Sequence, residues 1–316
     1  MRAIGLPLGV ALGFFAASLA TQASAGIFSF STGNPDGKIA TGSRPASGGK
    51  IEIESADDFI ASSAVSINHA TFTGLIPTGV PLSSIGEVRV EIYRVFPKDS
   101  TDPPSGKVPT RANSPSDVEF ADRDTASSNL TFSVNVVNGS FSAANSALNG
   151  IHPKPNQFTG GEGPVSGQEV TFDVTFTTPF TLPADHYFFV PQVELSGSGD
   201  FLWLSAPKPI VPPGTPFTPD LQSWIRDENL APDWLRIGTD ITGQGPFNAA
   251  FSLDGVSGIP ELATWAMMVI GFALVGTRLG NAGKPTNRRA ERSGGKLRQT
   301  VPDRLGQASI RQIREQ

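Results

Sequence analysis

The chain has 316 residues and a formal net charge of −5, and 17 % of its residues are charged. It contains 34 glycines and 27 prolines but no cysteine. The lack of cysteine excludes disulfide frameworks, cysteine-based metal sites and cysteine nucleophiles, and the low charge content excludes a coiled coil. The acidic balance argues against a nucleic-acid partner, which requires a basic surface. The composition indicates a loop-rich β protein.

The N-terminus has the pattern of a secretory signal peptide. Arg2 precedes an apolar run over residues 6–19, and Ala23, Ser24 and Ala25 then supply the small residues of a cleavage site. The run is too short to span a bilayer, which needs about 20 residues. We therefore predict that residues 1–25 are a signal peptide and that signal peptidase cleaves after Ala25.

Residues 26–258 alternate repeatedly between apolar and polar positions. This period of two predicts one all-β domain, an antiparallel β-sandwich of jelly-roll-like form. The clearest predicted strands are 88–93, 131–136, 171–176 and 187–195, and shorter candidates are 51–54, 66–73, 201–205, 234–237 and 249–253.

Two segments of this domain stand out. Residues 187–195 are apolar on both faces, which predicts the most central strand, and Pro191 predicts a bulge or an unpaired edge there. Thr218 can cap a helix, and the apolar residues Leu221, Trp224 and Ile225 follow at helical spacing. We therefore predict one short helix that ends near Asn229.

Three connections are long and rich in Pro, Gly or Ser. They cover residues 97–117, 149–168 and 206–217. Loops of this length are uncommon unless they are functional or flexible. They form a binding surface if they meet at one end of the sandwich, and are surface decoration if they scatter.

The C-terminal part contains a second apolar run, over residues 262–279. As a helix it would extend about 27 Å, close to the thickness of a thin bilayer. We predict a single transmembrane helix within residues 259–279, with residues 280–316 forming a basic, disordered cytoplasmic tail. The tail from Arg278 has a net charge of +7, whereas residues 26–277 have a net charge of −13.

Residues 260–276 read PELATWAMMVIGFALVG, and basic residues follow from Arg278. This segment resembles the PEP-CTERM sorting signal of Gram-negative bacteria, although Leu262 stands where that signal usually has a second proline. The resemblance implies that Pro260, Glu261, Trp265 and Arg278 belong to a recognition signal that an exosortase processes near Pro260. It further implies an inner-membrane-anchored precursor and delivery to the cell surface or extracellular matrix, often beside exopolysaccharide.

The exported segment carries no G-x-S-x-G, H-E-x-x-H or P-loop motif. Its histidines, His69, His152 and His186, are far apart in sequence and are interpreted as structural. We therefore predict no catalytic residue and no cofactor, with one weak exception. Carboxylates at Asp57, Asp58, Asp122 and Asp124 are candidate Ca²⁺ ligands, because this ion prefers oxygen donors in loops.

Aromatic residues give a second weak candidate. Trp203 and Trp224 have apolar neighbours and are interpreted as core residues. Trp234 is the tryptophan that the sequence assigns least clearly to the core. An exposed tryptophan can stack on a sugar ring, so Trp234 is a candidate carbohydrate-binding residue.

The sequence thus favours a non-enzymatic, exosortase-sorted surface or matrix protein with a structural or polysaccharide-binding sandwich. A carbohydrate-active or other hydrolytic enzyme on the same scaffold is the alternative. A third interpretation is a membrane-anchored periplasmic protein whose likeness to the sorting signal is accidental.

Overall fold

The computed structural model describes residues 25–151, 159–210 and 220–258, all within one compact unit. The fold is mostly β and consists of two sheets with a shared core. The strands are β1 (Gly26–Ser31), β2 (Ile39–Gly42), β3 (Ile53–Ala61), β4 (Val65–Pro77), β5 (Ile85–Arg94), β6 (Ala121–Asp124), β7 (Leu130–Ala143), β8 (Asn145–Ala147), β9 (Val165–Leu182), β10 (Asp185–Leu195), β11 (Leu202–Ala206), β12 (Trp224–Asp227), β13 (Leu235–Arg236), β14 (Asn248–Ala249) and β15 (Phe251–Ser257). A 3₁₀ turn at Leu82–Ser84 and a π-helical turn at Ile237–Ile241 are the helical elements of these ranges.

The large sheet is organised around β4. This strand pairs with β9 along its length, and with β15 and then β11 in succession. Strand β1 extends the sheet beyond β15, and β7 extends it beyond β9. Strand β11 also pairs with β2 and β14, and β2 pairs with β8 in the one parallel ladder of the described residues.

The small sheet has the strand order β13-β12-β3-β10-β5-β6. Strand β10 lies between β3 and β5. The prediction that residues 187–195 form a central strand is therefore confirmed.

The main core lies between the sheets and follows from strand alternation. Val88, Val90 and Ile92 of β5 point into it, as do Tyr187 and Phe189 of β10. The large sheet contributes aromatic side chains, including stacked rings at Phe72 and Phe172, 4.8 Å apart. Phe188 and Val190 point the other way, into a second apolar cluster with Tyr93, Trp224 and Trp234. The small sheet is thus buried on both faces at β10.

Pro191 occupies the point where the pairing of β10 with β3 has ended. That ladder ends at Phe189, whereas Pro191 lies opposite Val90 and is paired only with β5. One edge of β10 is therefore unpaired at Pro191, as predicted, while the register irregularity of this strand falls later, between Val193 and Leu195.

The predicted helix ending near Asn229 is wrong. Trp224–Asp227 form strand β12, which pairs with β3 through Ala56 and Ser55. Trp224 packs into the cluster around Tyr93, whereas Ile225 packs with Ile53 in a different cluster. Consecutive apolar residues that pack on opposite faces fit a strand and not a helix. Backbone pairing with β3 therefore determines the conformation, despite the helical spacing of the apolar residues.

Several predictions concern segments outside the described residues. These are residues 1–24 of the signal peptide, including Ala23 of its cleavage site, the sorting residues Pro260, Glu261, Trp265 and Arg278, the transmembrane helix and the basic tail. Within the ranges that the structure describes, no helix combines the length and the hydrophobicity needed to cross a bilayer.

Candidate functional site

Two of the three long loops meet at one cavity of about 360 Å³. Thr110, Ala112 and Asn113 come from the loop at 97–117, and Lys208 comes from the loop that begins at 206. The remaining lining residues belong to the segment around β12 and β13: Asp220, Leu221, Gln222, Trp224, Arg236 and Pro246. The volume falls within the range of small-molecule sites. Of the two alternatives that the sequence left open for the long loops, a meeting at one place is thus observed for two of the three.

Lys208 and Asp220 form one side of this cavity. The Lys208 ammonium lies 3.1 Å from Asp220 Oδ1 and donates to the backbone carbonyls of Asp220, at 2.7 Å, and Leu221. Both side chains are partly exposed. These contacts fix the position of the Lys208 ammonium, while part of the side chain remains accessible to solvent.

Arg236 provides the second cation of the lining. Its guanidinium makes a two-pronged contact with Asp240, with Nη2 2.6 Å and Nε 2.9 Å from the carboxylate oxygens. Because Lys208 and Arg236 each have their own carboxylate, the lining is close to electrically balanced. Such a surface favours a polar neutral ligand over an anion.

Trp224 is the aromatic residue of the lining. It is 1 % exposed, and its indole N–H has no hydrogen-bond acceptor in the described part of the protein. Buried donors normally have a partner, and an unmade bond costs about 1–3 kcal/mol. The described part of the protein therefore leaves this buried donor unsatisfied.

Asp57 and Asp58 anchor the segment that forms the cavity wall. Asp58 Oδ2 accepts from the Leu221 backbone N–H at 3.2 Å and contacts His186 Nε2 at 2.6 Å. Asp57 accepts from Ser223 Oγ at 3.0 Å and from the Ala249 backbone N–H at 2.8 Å. The two neighbouring carboxylates thus position residues 221–223 and join them to β14.

Burial changes the ionisation of both anchors. Burial, followed by the nearby Asp58 charge, raises the pKa of Asp57 well above its ordinary value. Burial also raises the pKa of Asp58, although the hydrogen bond and charge of His186 partly oppose it. Protonation of these carboxyls is consequently easier in the folded chain than in the unfolded one.

The Ca²⁺ candidates are not gathered into one site. Asp57 and Asp58 are consecutive residues of β3, and their oxygens accept hydrogen bonds from the protein, as described above. Asp122 and Asp124 lie on β6, where Asp124 accepts from the backbone N–H and the hydroxyl of Ser127. In residues 25–151, 159–210 and 220–258, no three His, Asp or Glu side chains form a group that could hold a metal ion.

The choice of Trp234 as a sugar-stacking residue is wrong. Its side chain is fully buried, its indole N–H donates to the Ser116 carbonyl at 3.0 Å, and its ring meets Tyr93 edge-on at 5.6 Å. The Arg226 guanidinium lies 4.4 Å from its ring centre. No face of Trp234 is left for a sugar, whereas Trp224, interpreted as core, is both buried and part of the cavity wall.

The described histidines are apart, as expected for structural roles. His69 lies on the large sheet between Asp173, 3.0 Å from Nε2, and Asp254, 3.5 Å from Nδ1. His186 lies on the small sheet against Asp58. His152 falls outside the described residues.

A second cavity of about 340 Å³ lies beside the third long loop. Its two carboxylates already have partners in the protein. Glu162 accepts from the backbone N–H groups of Leu148, Asn149 and Gly150, and Asp200 pairs with two cations, Arg44 and Lys50. These carboxylates stabilise loops. The lining of the second cavity contains no aromatic side chain, whereas that of the first contains Trp224, so the first cavity is the better candidate site.

A buried polar network on the outer face of the small sheet was not predicted from the sequence. The Tyr93 hydroxyl lies 2.7 Å from Glu54 Oε1 and 3.1 Å from Glu91 Oε2, and Arg226 Nη2 lies 3.0 Å from Glu54 Oε1. Burial, followed by the Glu54 charge, raises the pKa of Glu91 well above its ordinary value. The only sequence signal was the alternation of Arg89, Glu91 and Tyr93 along a strand.

No protein-family model matches the chain, and the comparison with curated proteins gives no match either. The candidate site is therefore argued from its own geometry. Three cavity residues could not be predicted because no sequence motif surrounds them: Lys208, Asp220 and Arg236. The length and composition of the loops were the signals that pointed to this region.

Proposed function

We propose that the chain is an exported cell-surface or matrix protein whose jelly-roll-like sandwich binds a neutral polysaccharide without catalysing a reaction. The observation that carries the proposal is the charge-balanced cavity between two long loops, with Trp224 in its wall. A neutral sugar offers hydroxyl groups that donate and accept, together with an apolar ring face. Lys208, Asp220 and Gln222 supply the matching polar groups, and an indole supplies an apolar wall with one donor.

The two buried tryptophans provide a matched test. We expect Trp224→Phe to weaken saccharide binding about tenfold, or 1.4 kcal/mol, because a ligand acceptor loses its donor. It should lower the free energy of unfolding less than Trp234→Phe does, since both substitutions delete the same ring volume from a buried cluster but the N–H of Trp224 has no acceptor in the described protein. Trp234→Phe should leave saccharide binding unchanged and lower the free energy of unfolding more, because it loses the bond to Ser116 but leaves the cavity intact.

Binding would be measured by titration calorimetry on the full-length chain, using neutral and uronate-containing oligosaccharides. Preferential binding of the neutral series, weakened only by Trp224→Phe, supports the proposal. Equal effects of the two substitutions, or no binding of either series, would contradict it.

The proposed export route involves signal peptidase and an exosortase, with membrane anchoring before processing. It is supported by the signal-peptide pattern of residues 1–25 and by the sorting-signal likeness of residues 260–276. Deletion of residues 259–279 in a host that carries an exosortase should abolish delivery to the surface. Cell fractionation would reveal the outcome, and surface retention of the deleted chain would contradict the route.

The alternative, a hydrolytic enzyme acting on carbohydrate, is favoured by one observation. Glu54 and Glu91 both reach the Tyr93 hydroxyl, and Arg226 contacts only one of them. Paired carboxylates in different environments can divide acid and base roles. Both are 4 % exposed and neither lines a described cavity. Release of reducing ends by the wild type, lost in Glu91→Gln, would favour this alternative.

A further inference from the structure

Strand β7 forms an edge of the large sheet. It pairs with β9 on one side, and no described strand pairs with its other side. Over Leu130–Val136 the ladder with β9 runs without a register break, and irregularities begin only after Val136. Among the described residues, alternate positions of this segment therefore present unpaired backbone N–H and C=O groups at the sheet edge.

Over Leu130–Val136 the strand lacks the charges, prolines and bulges that normally protect a sheet edge. Its sequence, LTFSVNVVNGSFSA, contains no charged residue and no proline. Strand β6, an edge of the small sheet, is protected in the usual way by Asp122, Arg123 and Asp124. The difference indicates that the β7 edge is available for pairing.

Apolar side chains lie along the same strand. Val136 and Val137 are 47 % and 59 % exposed, whereas Phe132 and Val134 are only partly buried against the main core. A further strand beside β7 would cover Phe132, Val134 and Val136, which share one face. Covering these side chains would remove apolar surface from water, which favours association.

We propose that β7 pairs with β7 of a second copy of this chain, antiparallel and about a twofold axis at Ser133. The regular seven-residue segment is symmetric about Ser133, so this register uses its full length. Phe132 then faces the partner subunit's Val134, and Leu130 faces the partner subunit's Val136. Apolar residues meet apolar residues on one face, and Thr131 meets the partner subunit's Asn135 on the other.

Charge favours this strand as the contact between two copies. Residues 26–277 have a net charge of −13, so most surfaces of two copies repel each other. Strand β7 carries no charge, so contact between two copies at this strand adds no local repulsion. Its self-complementary pattern also fits an isologous contact. None of its residues lines the candidate cavity, so this inference stands independently of saccharide binding.

The absence of native cysteine allows a direct test of the register. In the proposed dimer, the two copies of residue 133 have Cα atoms about 4.5–5.5 Å apart, which suits a disulfide. We expect oxidised full-length Ser133→Cys to form a covalent dimer on non-reducing gels. Thr131→Cys is the matched control, because it is equally exposed on the same face but lies about 13 Å from its own copy.

A second pair of substitutions tests the contact without cross-linking. Val136→Lys should weaken dimerisation at least about tenfold, because the lysine would face the partner subunit's Leu130. Val256→Lys is the control, since Val256 is 40 % exposed but belongs to an internal strand, β15. Circular dichroism would establish that both variants fold, and sedimentation equilibrium would give the dissociation constants.

A dimer that cross-links at residue 133 but not at 131, and that Val136→Lys alone weakens, supports the proposal. A wild-type chain that remains monomeric at high concentration would overturn it. Equal cross-linking of the two cysteine variants, or a dimer indifferent to Val136→Lys, would overturn it as well.

Discussion

Asp57 is a carboxylate of β3 that hydrogen bonds connect to two other parts of the fold. As a surface carboxylate it would be a candidate ion ligand, but in the fold it is completely buried. Its oxygens accept hydrogen bonds from Ser223 and Ala249, which lie far away along the chain. Its role is to join β3, β14 and the segment before β12, at the cost of burying an ionisable group.

This burial predicts a pH-dependent stability that Asp57→Asn should change. Because the pKa of Asp57 is raised in the folded chain, the folded state binds the proton more tightly than the unfolded state. The contribution of Asp57 to stability is complete below its pKa in the unfolded state, about 4. It is lost as the pH rises through the pKa of Asp57 in the folded state. The stability of Asp57→Asn relative to wild type should therefore increase with pH. Urea unfolding between acidic and neutral pH would measure it.

Asp185→Asn is a suitable control for that experiment. Burial raises the pKa of Asp185, but the hydrogen bonds from Lys98 and the His186 backbone outweigh burial and hold the pKa below its ordinary value. Its contribution is present above pH 4 and is lost only at lower pH. The stability difference for Asp185→Asn should be constant across the window in which Asp57→Asn varies. A flat profile for both variants would contradict the assignment.

At the scale of elements, β12 depends on tertiary contacts more than on its own sequence. It has four residues and lies beside β3, where Arg226 reaches Glu54 and Tyr93. Arg226 is 7 % exposed and its guanidinium also lies over the Trp234 ring. The strand is therefore attached to the sheet by a buried ion pair as well as by its backbone ladder.

Breaking this ion pair on one side should be costly. Arg226→Met leaves the Glu54 carboxylate buried without its cation, which typically costs about 3–5 kcal/mol of unfolding free energy. Adding Glu54→Gln removes the isolated charge and should recover part of the loss. A double-mutant cycle from urea unfolding gives the coupling energy. If Arg226→Met cost less than about 1 kcal/mol, the pair would not attach β12 as described.

At the scale of the whole molecule, stability should be unevenly distributed. Strands β4, β9 and β10 have partners on both sides and supply many of the fully buried aromatic and aliphatic side chains. Strands β13 and β14 have two residues each, and β8 has three. The long strands hold the two sheets together. Of the short strands, β13 contributes Arg236 to the candidate cavity, whereas β8 contributes Ser146 to the second cavity.

Amide hydrogen exchange of the full-length chain should reproduce this division. We expect the slowest exchange in the middle of β4, β9 and β10, because their amides open only with global unfolding. Amides of β8, β13 and β14 should exchange much faster, through local opening. Mass spectrometry of peptic fragments would measure the rates. Uniform protection across long and short strands would contradict this division.

Much of the β architecture could be predicted because alternation is a local property. Residues 88–93, 131–136 and 171–176 all lie within strands, and the two-sided segment 187–195 lies in the central strand β10. The error at β12 has the same origin, because apolar spacing at Leu221, Trp224 and Ile225 fits a helix and a doubly buried strand equally well. Pairing with β3 chose between them, and that pairing is not visible locally.

The sequence by itself determined the all-β class, the central strand and the acidity of residues 26–277, and it provides the terminal patterns that support the proposed export. These properties depend on composition and on neighbours within a few residues. Only the tertiary structure decided that Trp234 is core, that Trp224 lines a cavity, and that Asp58 meets His186. Such contacts join residues 100 or more positions apart. Their formation depends on strand order and register, which periodicity within a single strand does not specify.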